Sequence, residues 1–428
     1  MNTENNTLTK GFDWTIIYLY VILVTIGLLS IYAVEHREGD TFWYALTHTA
    51  GSFSQQSRWL GISVVLGTIV LLLDSKFFTA TANLLYVFGI MLLLLVLAVG
   101  KDVKGSHSWL VVGSFQFQPA EFTKLCTLLA LSKYLSNIEV DFSKLRSQII
   151  ASIIILLPAA IILLQDETGL ALVYFSFFLV MYREGLPGIL LVIAFSMIVL
   201  VLSALLIDKY ILFIIFTVIA GLVVYFSRRE IRRKKSLLAL IILIWGFCAA
   251  FVVFAVPFTF KHILKPYQVS RINVILGKEA SRTAGYNVLQ SKIAIGSGGL
   301  FGKGYLKGTQ TRFDFVPEQR TDFIFCTIGE DFGFIGCAVL LVIYLLMLMR
   351  IIQIAERQRS AFSRIYAYGV ACVMFFHIAI NIGMTVGLAP VIGIPLPLIS
   401  YGGSSLLTFT LLIFILVRLD ADRQVILR

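Results

Sequence analysis

The sequence predicts an all-α polytopic integral membrane protein, and three observations carry that prediction. Of its 428 residues, 58% are hydrophobic and only 14% are charged, whereas soluble domains carry about 25% charged residues. Apolar runs recur, with lengths close to those that a helix needs to cross a bilayer, about 20 residues. The alternation typical of membrane-barrel strands is not visible. Helices then remain as the way to satisfy the backbone in lipid.

Twelve apolar runs predict twelve transmembrane helices. Three of them, the second, fifth and sixth, are short, which indicates tilt, a kink or partial re-entry. About ten polar residues and a full-length span begin the chain, which differs from a cleavable signal peptide. The predicted spans lie near residues 13–34, 59–73, 77–99, 120–135, 149–165, 168–182, 186–206, 210–227, 236–258, 323–350, 365–389 and 401–418.

The distribution of Lys and Arg predicts the orientation of the spans. Basic residues concentrate in loops at 133–146, 228–235 and 357–364 and in the C-terminal tail, and the alternate short loops hold few. Since cytoplasmic loops carry the excess of Lys and Arg, both termini are expected in the cytoplasm. The even number of spans agrees with this orientation.

A long loop at residues 259–322 breaks the charge pattern on the predicted outer side. It holds four acids and the following ten cations: Lys261, Lys265, Arg271, Lys278, Arg282, Lys292, Lys303, Lys307, Arg312 and Arg320. Loops of this length can be translocated regardless of charge. The resulting basic surface suits an anionic substrate such as a lipid phosphate.

Two other classes of function find no support. The net charge of +11 would suit nucleic acid, but the chain has no soluble basic domain or aromatic–basic module to bind it. The five cysteines lie in apolar segments without metal-ligand spacing. A disulfide framework or a zinc site is therefore not expected.

Asp322 ends the polar loop immediately before an apolar span. A carboxylate at a membrane boundary is costly and indicates function. Asp is also a favoured helix N-cap, and the two roles do not exclude each other. The spacing alone leaves both interpretations open.

Glu121 and Lys124 follow Pro119 at the start of the fourth span. Their spacing places them on one helical face as an i,i+3 pair. One alternative is an ion pair that only neutralises the helix end. We favour a pair that lines a water-filled interior, where charges in membrane proteins usually face.

Three further segments carry polar or irregular features. Asp166 and Glu167 occupy a short turn and could bind a cation, hold basic loop residues or simply be solvated. The segment 395–405 breaks the helical pattern with two prolines and Gly402–Gly403, which favours a cavity wall over an ordinary loop. Trp109 is typical of an interfacial anchor.

The glycine-rich segment 296–304 resembles a nucleotide phosphate loop only superficially. Ser297 occupies the position of the first required glycine, and Gly304 follows Lys303 where Ser or Thr is needed. What remains is a flexible backbone that could offer amides to phosphate oxygens.

Several long motifs resemble the SEDS family (shape, elongation, division and sporulation), and most closely its elongation branch. The resemblance covers most of the chain. The matching segments are 118–121 (QPAE), 287–300 (NVLQSKIAIGSGGL), 302–310 (GKGYLKGTQ), 315–318 (FVPE), 321–325 (TDFIF), 381–384 (NIGM) and 395–404 (PLPLISYGGS).

The resemblance implies a peptidoglycan glycosyltransferase that polymerises lipid II on the outer face of the bacterial cytoplasmic membrane. The family's essential aspartate corresponds to Asp322, its Glu and Lys to Glu121 and Lys124, and its loop tryptophan to Trp109. A class B penicillin-binding protein is the implied partner, and nucleic acid is not. No cofactor is implied, and a divalent cation (Mg or Mn) at the pyrophosphate is left as an alternative.

The chain departs from the family pattern at four places. His107-Ser108 precedes the tryptophan, Asp166 replaces a proline so that the family's aspartate aligns with Glu167, and Arg320 replaces a histidine. The family usually has ten spans. We therefore expect one integral membrane domain over residues 1–428 with an inserted helical pair at about 207–258.

The expected reaction is one inverting displacement with Asp322 as general base, because a pyrophosphate leaving group needs charge neutralisation rather than a proton. A lipid II flippase and a scaffold for a transpeptidase are the alternatives. The residues predicted to bind substrate are Trp109, Glu121, Lys124, Glu167, Lys292, Lys303, Gln310, Arg312, Arg320 and Ser404. No protein metal ligand is predicted.

Overall fold

A computed structural model describes residues 11–37, 42–47, 51–103, 106–112, 115–275 and 284–423. Helices dominate these residues, which confirms the predicted all-α class. Each of the twelve predicted spans is helical in the structure. Within the described ranges, nine helices are long and apolar enough to cross a membrane, and Thr168–Arg183 is a shorter apolar helix. The chain is therefore a multi-pass membrane protein.

The α-helices are numbered here in chain order. They are α1 Trp14–Glu35, α2 Phe42–Thr47, α3 Ser52–Leu72, α4 Ser75–Val99, α5 Pro119–Leu135, α6 Leu145–Leu164, α7 Thr168–Val173, α8 Phe177–Arg183, α9 Gly188–Leu206, α10 Lys209–Phe226, α11 Arg228–Arg233, α12 Lys235–Ala250, α13 Val256–Phe258, α14 Pro266–Ile275, α15 Ala284–Ser297, α16 Thr309–Arg312, α17 Ile324–Arg357, α18 Ala361–Val386 and α19 Gly403–Ala421.

The chain divides into two compact units, made of residues 1–186 with 287–428 and of residues 187–286. In the second unit α10 packs against α12, and π-helical turns at Phe251–Ala255 and Thr259–Ile263 extend α12. Few of its side chains are buried. The predicted inserted pair at about 207–258 lies inside this unit, and its origin as an insertion stays a prediction.

The first unit is built around α19, in which nearly every residue is buried. It packs against α3, α5 and α18, while α17 packs against α18 and α1. A helix enclosed in this way is expected to be apolar all round. Its buried Ser404, Ser405, Thr408 and Thr410 make it more polar than that expectation.

A small antiparallel sheet connects α4 to α5, where the sequence predicted only an outer loop. Its strands are β1 Lys101–Val103, β2 Ser106–Val112 and β3 Phe115–Phe117, in the order β1-β2-β3. Trp109 pairs with Lys101, and Leu110 pairs with Phe117. Strands this short are easily missed in a sequence.

The predicted loop at 259–322 is partly helical, since it contains α14, α15 and α16. Lys278, Glu279 and Arg282 lie outside the described residues. The first unit therefore contributes five described cations of the predicted basic surface, namely Lys292, Lys303, Lys307, Arg312 and Arg320.

The segment 387–402 between α18 and α19 is not helical. The prolines and glycines predicted irregular backbone over 395–405, whereas the structure begins it earlier, at Gly387, and starts α19 at Gly403. Gly387 ends α18 with a left-handed φ of 81°. The apolar side chains of the segment, Ile394, Leu396, Leu398 and Ile399, are buried. Irregular backbone is tolerated at membrane depth when protein surrounds it.

Candidate active site around Asp322

Asp322 lies just before α17, but it is not the N-cap of that helix. The helix begins at Ile324 with Phe323 in the cap position, and Phe323 makes no side-chain capping bond. The helix-cap interpretation of Asp322 is therefore wrong in its simple form. Asp322 is partly exposed, whereas Phe323 beside it is buried.

The irregular segment 387–402 lies against Asp322. A Cβ atom added to Gly393 would lie 3.4 Å from Asp322 Oδ2. Gly393 has a φ of 73°, a left-handed conformation that favours glycine. Gly393 therefore leaves space beside the Asp322 carboxylate, and its backbone conformation would be costly for a residue with a side chain.

Hydrogen bonds fix the backbone around Asp322. Asn381 Nδ2 donates to the carbonyl oxygens of Asp322, at 2.9 Å, and Ile394, at 2.7 Å. Ser400 Oγ donates to Thr321 O at 2.5 Å, and Tyr401 N donates to Arg320 O at 2.8 Å. Residues 320–322 are thus held by α18 and by the segment that follows it.

Lys292, on α15, lies at the C-terminal end of α18. A Cβ atom added to Gly387 would lie 2.5 Å from Lys292 Nζ. Ser291 Oγ donates to Thr385 O at 3.0 Å, which attaches α15 to α18. Helix C-termini favour cations because of the helix dipole, so the exposed Lys292 is held by geometry and by electrostatics.

A small apolar cluster joins the helix of Lys292 to the residues beside Asp322. Its partly buried neighbours include Ile295, on α15, and Val391, between Gly387 and Gly393. The buried members are Val288, Ala294, Val316, Phe323 and Cys326. Lys292 and Asp322 therefore project from elements that share one core.

Lys303 is paired with Glu330. Lys303 Nζ donates to Glu330 Oε1 at 2.7 Å and lies 2.8 Å from Thr309 Oγ1. The Glu330 carboxylate, which is buried, also accepts from the backbone amides of Gln310 and Thr311 at 2.8 and 2.9 Å. Lys303 and Gln310 are thus part of a loop closed around one carboxylate.

The two predicted arginine ligands of this loop occupy different surroundings. Arg320 Nη1 donates to Ser52 Oγ at 3.2 Å, and Arg320 Nη2 lies 4.0 Å from Asp314 Oδ1. Arg312 ends α16 and is partly exposed. The structure places both arginines in the first unit, and their binding of substrate stays a prediction.

Glu121 and Lys124 form an ion pair deep in the first unit. Lys124 Nζ donates to Glu121 Oε2 at 2.7 Å, and each residue is only 1% exposed. The pair does not face a water-filled space here, which corrects the expectation of a cavity lining. Lys124 Nζ also lies 2.9 Å from His377 Nε2 and 4.6 Å from the centre of the Phe409 ring.

Glu167 and Ser404 meet at Gln118. Glu167 Oε1 accepts from Ser108 Oγ at 2.7 Å and from Gln118 Nε2 at 3.1 Å. The buried Ser404 Oγ accepts a hydrogen bond from the backbone N–H of Gln118 at 2.9 Å. Trp109, partly exposed on β2, follows Ser108 directly. The turn at Glu167 therefore holds the start of α5 and the sheet rather than being merely solvated.

The group formed by Glu167, Gln118 and Ser404 lies close to the surroundings of Asp322, because Gly169 approaches Ile392. A Cβ atom on Gly169 would collide with Ile392 O, next to Gly393. Gly169 thus lets the Glu167 turn contact the segment that lies against Asp322. The structure brings Asp322, Lys292 and the turn that carries Glu167, through Gly169, to one segment of irregular backbone.

Tyr401 lies beside the same region. Burial and the nearby Glu35 carboxylate raise the pKa of the Tyr401 hydroxyl, against an opposing effect of Arg58 and Arg320. The Tyr401 hydroxyl group contacts Gln55 Oε1.

Sequence reasoning missed Glu330 and His377. Glu330 and Asp331 are adjacent acids within an apolar span, and ionisable residues in a membrane segment indicate function by default. His377 carries the same signal in α18. Among the described residues, no group of three His, Cys, Asp or Glu side chains could hold a metal ion. A divalent cation at the pyrophosphate stays an open prediction, and all five cysteines are free thiols.

Comparison with known proteins finds a matching family model and similar sequences. The sequence model of FTSW_RODA_SPOVE, described as cell cycle protein, matches residues 13–235 and 214–425. The peptidoglycan glycosyltransferase RodA of Treponema pallidum is 33% identical, with 96% of this chain and 98% of that protein covered. The peptidoglycan glycosyltransferase MrdB of Escherichia coli K12 is 31% identical, with 89% and 88% covered.

Solved structures show the same fold. A chain from a study of structural coordination of polymerization and crosslinking by a peptidoglycan synthase complex has a TM-score of 0.68 and 25% identity, with 96% of this chain and 98% of that chain covered. The rod shape determining protein RodA of Thermus thermophilus has a TM-score of 0.62 and 24% identity, with 96% and 97% covered.

Proposed function

Because this chain belongs to the FtsW/RodA/SpoVE family of cell cycle proteins, the SEDS family predicted from its motifs, we infer that it is a peptidoglycan glycosyltransferase. Two relatives more than 30% identical over most of the chain carry that name. Their designations as RodA and MrdB support a role in cell elongation and shape.

We propose lipid II as the substrate and Asp322 as the general base. One observation carries this assignment: the Asp322 carboxylate lies against Gly393 and the Lys292 ammonium against Gly387, on the same irregular segment. A base and a cation that lie against one segment match the two needs of the reaction, which are removal of a proton and stabilisation of pyrophosphate.

The proposed reaction is one inverting displacement. Asp322 accepts the proton of the 4-hydroxyl group on the acceptor sugar, and that oxygen forms a bond to the anomeric carbon of the donor. The bond from that carbon to the undecaprenyl pyrophosphate breaks, and the electron pair leaves with the pyrophosphate. Proton transfer to a positioned base contributes about 10²–10⁴ in rate.

Cations around the site are proposed to stabilise the leaving pyrophosphate. Preorganised charges aimed at developing negative charge are among the largest catalytic terms. Lys292 is exposed, and its ammonium group lies against Gly387, in the segment beside Asp322. Lys303 is paired with the Glu330 carboxylate, so it binds a phosphate only if this ion pair breaks or widens. We therefore assign to Lys292 the larger part of the pyrophosphate stabilisation. Arg312 and Arg320 remain proposed contributors.

We further propose that both termini lie in the cytoplasm and that Asp322 faces outward in the bacterial cytoplasmic membrane. The excess of Lys and Arg in alternate short loops supports this orientation. We propose a class B penicillin-binding protein as partner, since a similar chain is found in a synthase complex that coordinates polymerization and crosslinking.

Purified protein with lipid II, and glycan length read on a gel, tests this function. Wild-type protein is expected to form long strands, whereas Asp322→Asn is expected to bind lipid II without extending it. Asp141→Asn is the matched control for the loss of one carboxylate charge, because Asp141 lies in another loop with a side chain 52% exposed. Normal polymerisation by Asp322→Asn would sink the assignment.

A lipid II flippase is the second candidate, because buried charges in a many-span protein also suit transport. Translocation of labelled lipid II across vesicles without any extension would favour it. The same assay separates a scaffold, which would neither extend nor translocate the lipid.

A further inference from the structure

His377 connects three parts of the first unit and has no role in the proposed chemistry. It lies on α18 with no exposed surface. Its Nε2 lies 2.9 Å from Lys124 Nζ on α5, and its Nδ1 lies 3.2 Å from Pro395 O in the irregular segment. A side chain buried between an ammonium group and a carbonyl oxygen is constrained in its protonation.

The two neighbours determine which tautomer His377 adopts. A carbonyl oxygen only accepts, so Nδ1 carries the proton and donates to Pro395 O. The ammonium group of Lys124 only donates, so Nε2 is the bare acceptor. The neutral ring therefore relays one continuous chain of hydrogen bonds from Glu121 through Lys124 to the backbone at Pro395.

One helical turn further along α18, Asn381 makes a separate link between the irregular segment and Asp322. Asn381 Nδ2 donates to both Ile394 O and Asp322 O. His377 and Asn381, four residues apart, thus hold two successive carbonyl groups, at Pro395 and Ile394. The next residue toward the N-terminus is Gly393, which lies against Asp322 Oδ2.

We propose that His377 is a positioning residue, which holds the segment around Gly393 and Pro395 in place beside Asp322. This inference rests on the proposed function of Asp322. Non-helical backbone lacks the regular ladder of bonds that fixes a helix, so side chains of neighbouring helices set its position. Tyr344 of α17 holds Pro397 O, whereas His377 and Asn381 of α18 hold the two carbonyl groups nearest Gly393. Displacement of a site by about 1 Å can cost about 10²-fold in rate.

Two substitutions at His377 separate positioning from filling space. Glutamine carries one acceptor and one donor group at its tip, so H377Q can accept from Lys124 and donate to Pro395 O. Phenylalanine fills the space without either bond. In lipid II polymerisation we expect H377F to lower kcat by at least about 10-fold with KM little changed, and H377Q to retain most of the rate.

Val370→Ala is the matched control. Val370 is buried on α18, two turns before His377, and the substitution lowers stability by leaving a cavity. It leaves the polar chain intact. If H377F only weakened the fold, V370A with the same loss in Tm would lose the same activity, and that result would overturn the inference.

Hydrogen–deuterium exchange tests the same inference without polymerisation. Backbone amides in residues 391–401 are expected to exchange faster in H377F than in the wild type, H377Q or V370A. Unchanged exchange in H377F, or equal increases in H377F and H377Q, would overturn the positioning role even if the wild type proved inactive on lipid II. Faster exchange with an inactive wild type would leave the positioning intact and refute only the proposed function.

Discussion

The ammonium group of Lys303 lies 2.7 Å from a carboxylate oxygen of Glu330, which is fully buried near the start of α17. The same carboxylate accepts two backbone amides from residues 310 and 311. One side chain therefore closes the loop that carries three of the predicted substrate ligands, Lys303, Gln310 and Arg312.

Glu330→Gln is expected to loosen this loop. Glutamine keeps one acceptor oxygen but loses the charge, and hydrogen bonds to charged groups contribute about 1.5–3 kcal/mol each. We expect a lower Tm and faster amide exchange at residues 303–312. Glu139→Gln, on an exposed loop, controls for the loss of one charge. An unaltered exchange pattern would contradict the role of Glu330.

Gly387→Ala is expected to displace Lys292. The added methyl group would lie 2.5 Å from Lys292 Nζ, and the φ of 81° opposes any Cβ atom. If Lys292 binds pyrophosphate, polymerisation falls more than stability does. Gly185→Ala is the matched control, because Gly185 also has a positive φ, of 114°, and the nearest atom, of Phe142, is 4.0 Å from its added Cβ. Equal losses from both substitutions would argue against a role for Lys292.

Glu121→Ala is expected to destabilise the protein strongly, because it leaves the Lys124 ammonium buried without its carboxylate. Removal of one partner from a buried ion pair costs about 3–5 kcal/mol. The double variant Glu121→Ala/Lys124→Ala should be more stable than Glu121→Ala alone. Thermal unfolding in detergent measures both.

The pair formed by Asp141 and Lys144 has the same i,i+3 spacing but is largely exposed, at 3.6 Å. Asp141→Ala should change stability by less than about 1 kcal/mol. Similar effects at the buried and the exposed pair would refute the importance of burial.

The lowered pKa of Asp13 predicts that the stability of the protein depends on pH. Burial raises the pKa of this carboxyl group, but hydrogen bonds from Arg350, Arg357 and the Ile16 amide outweigh it and hold the pKa below its usual range. The stabilisation is therefore present above about pH 4, the unfolded pKa, and is lost as the pH falls through the folded value. The Tm of the wild type and of Asp13→Asn should differ at pH 7 and converge in acid. A constant difference across this range would contradict the linkage.

Local patterns in the sequence predicted much of this molecule. The spans follow from lengths of apolar sequence, and the Glu121–Lys124 pair follows from helical spacing, because both depend on residues close together in the chain. The start of α17 was less predictable. A shift of one residue moves Asp322 out of the cap position, and helix ends are uncertain by at least that amount.

Contacts between distant residues could not be predicted from spacing. Whether Glu121 and Lys124 face water or protein depends on His377 and Phe409, which belong to other helices. The approach of Gly393 to Asp322 depends likewise on the path of 387–402, which receives hydrogen bonds from side chains of α3, α17 and α18. Motif resemblance identified these segments without showing what they contact.

The separation of 253 residues between Lys124 and His377 also bears on biosynthesis. During translation α5 enters the membrane long before α18 has been made. Throughout that interval Lys124 depends on Glu121, which travels with it on the same helical turn and offsets its charge. The local ion pair thus neutralises the lysine until α18, which carries its final neighbour His377, has been synthesised. The i,i+3 spacing serves membrane insertion first and the finished fold afterwards.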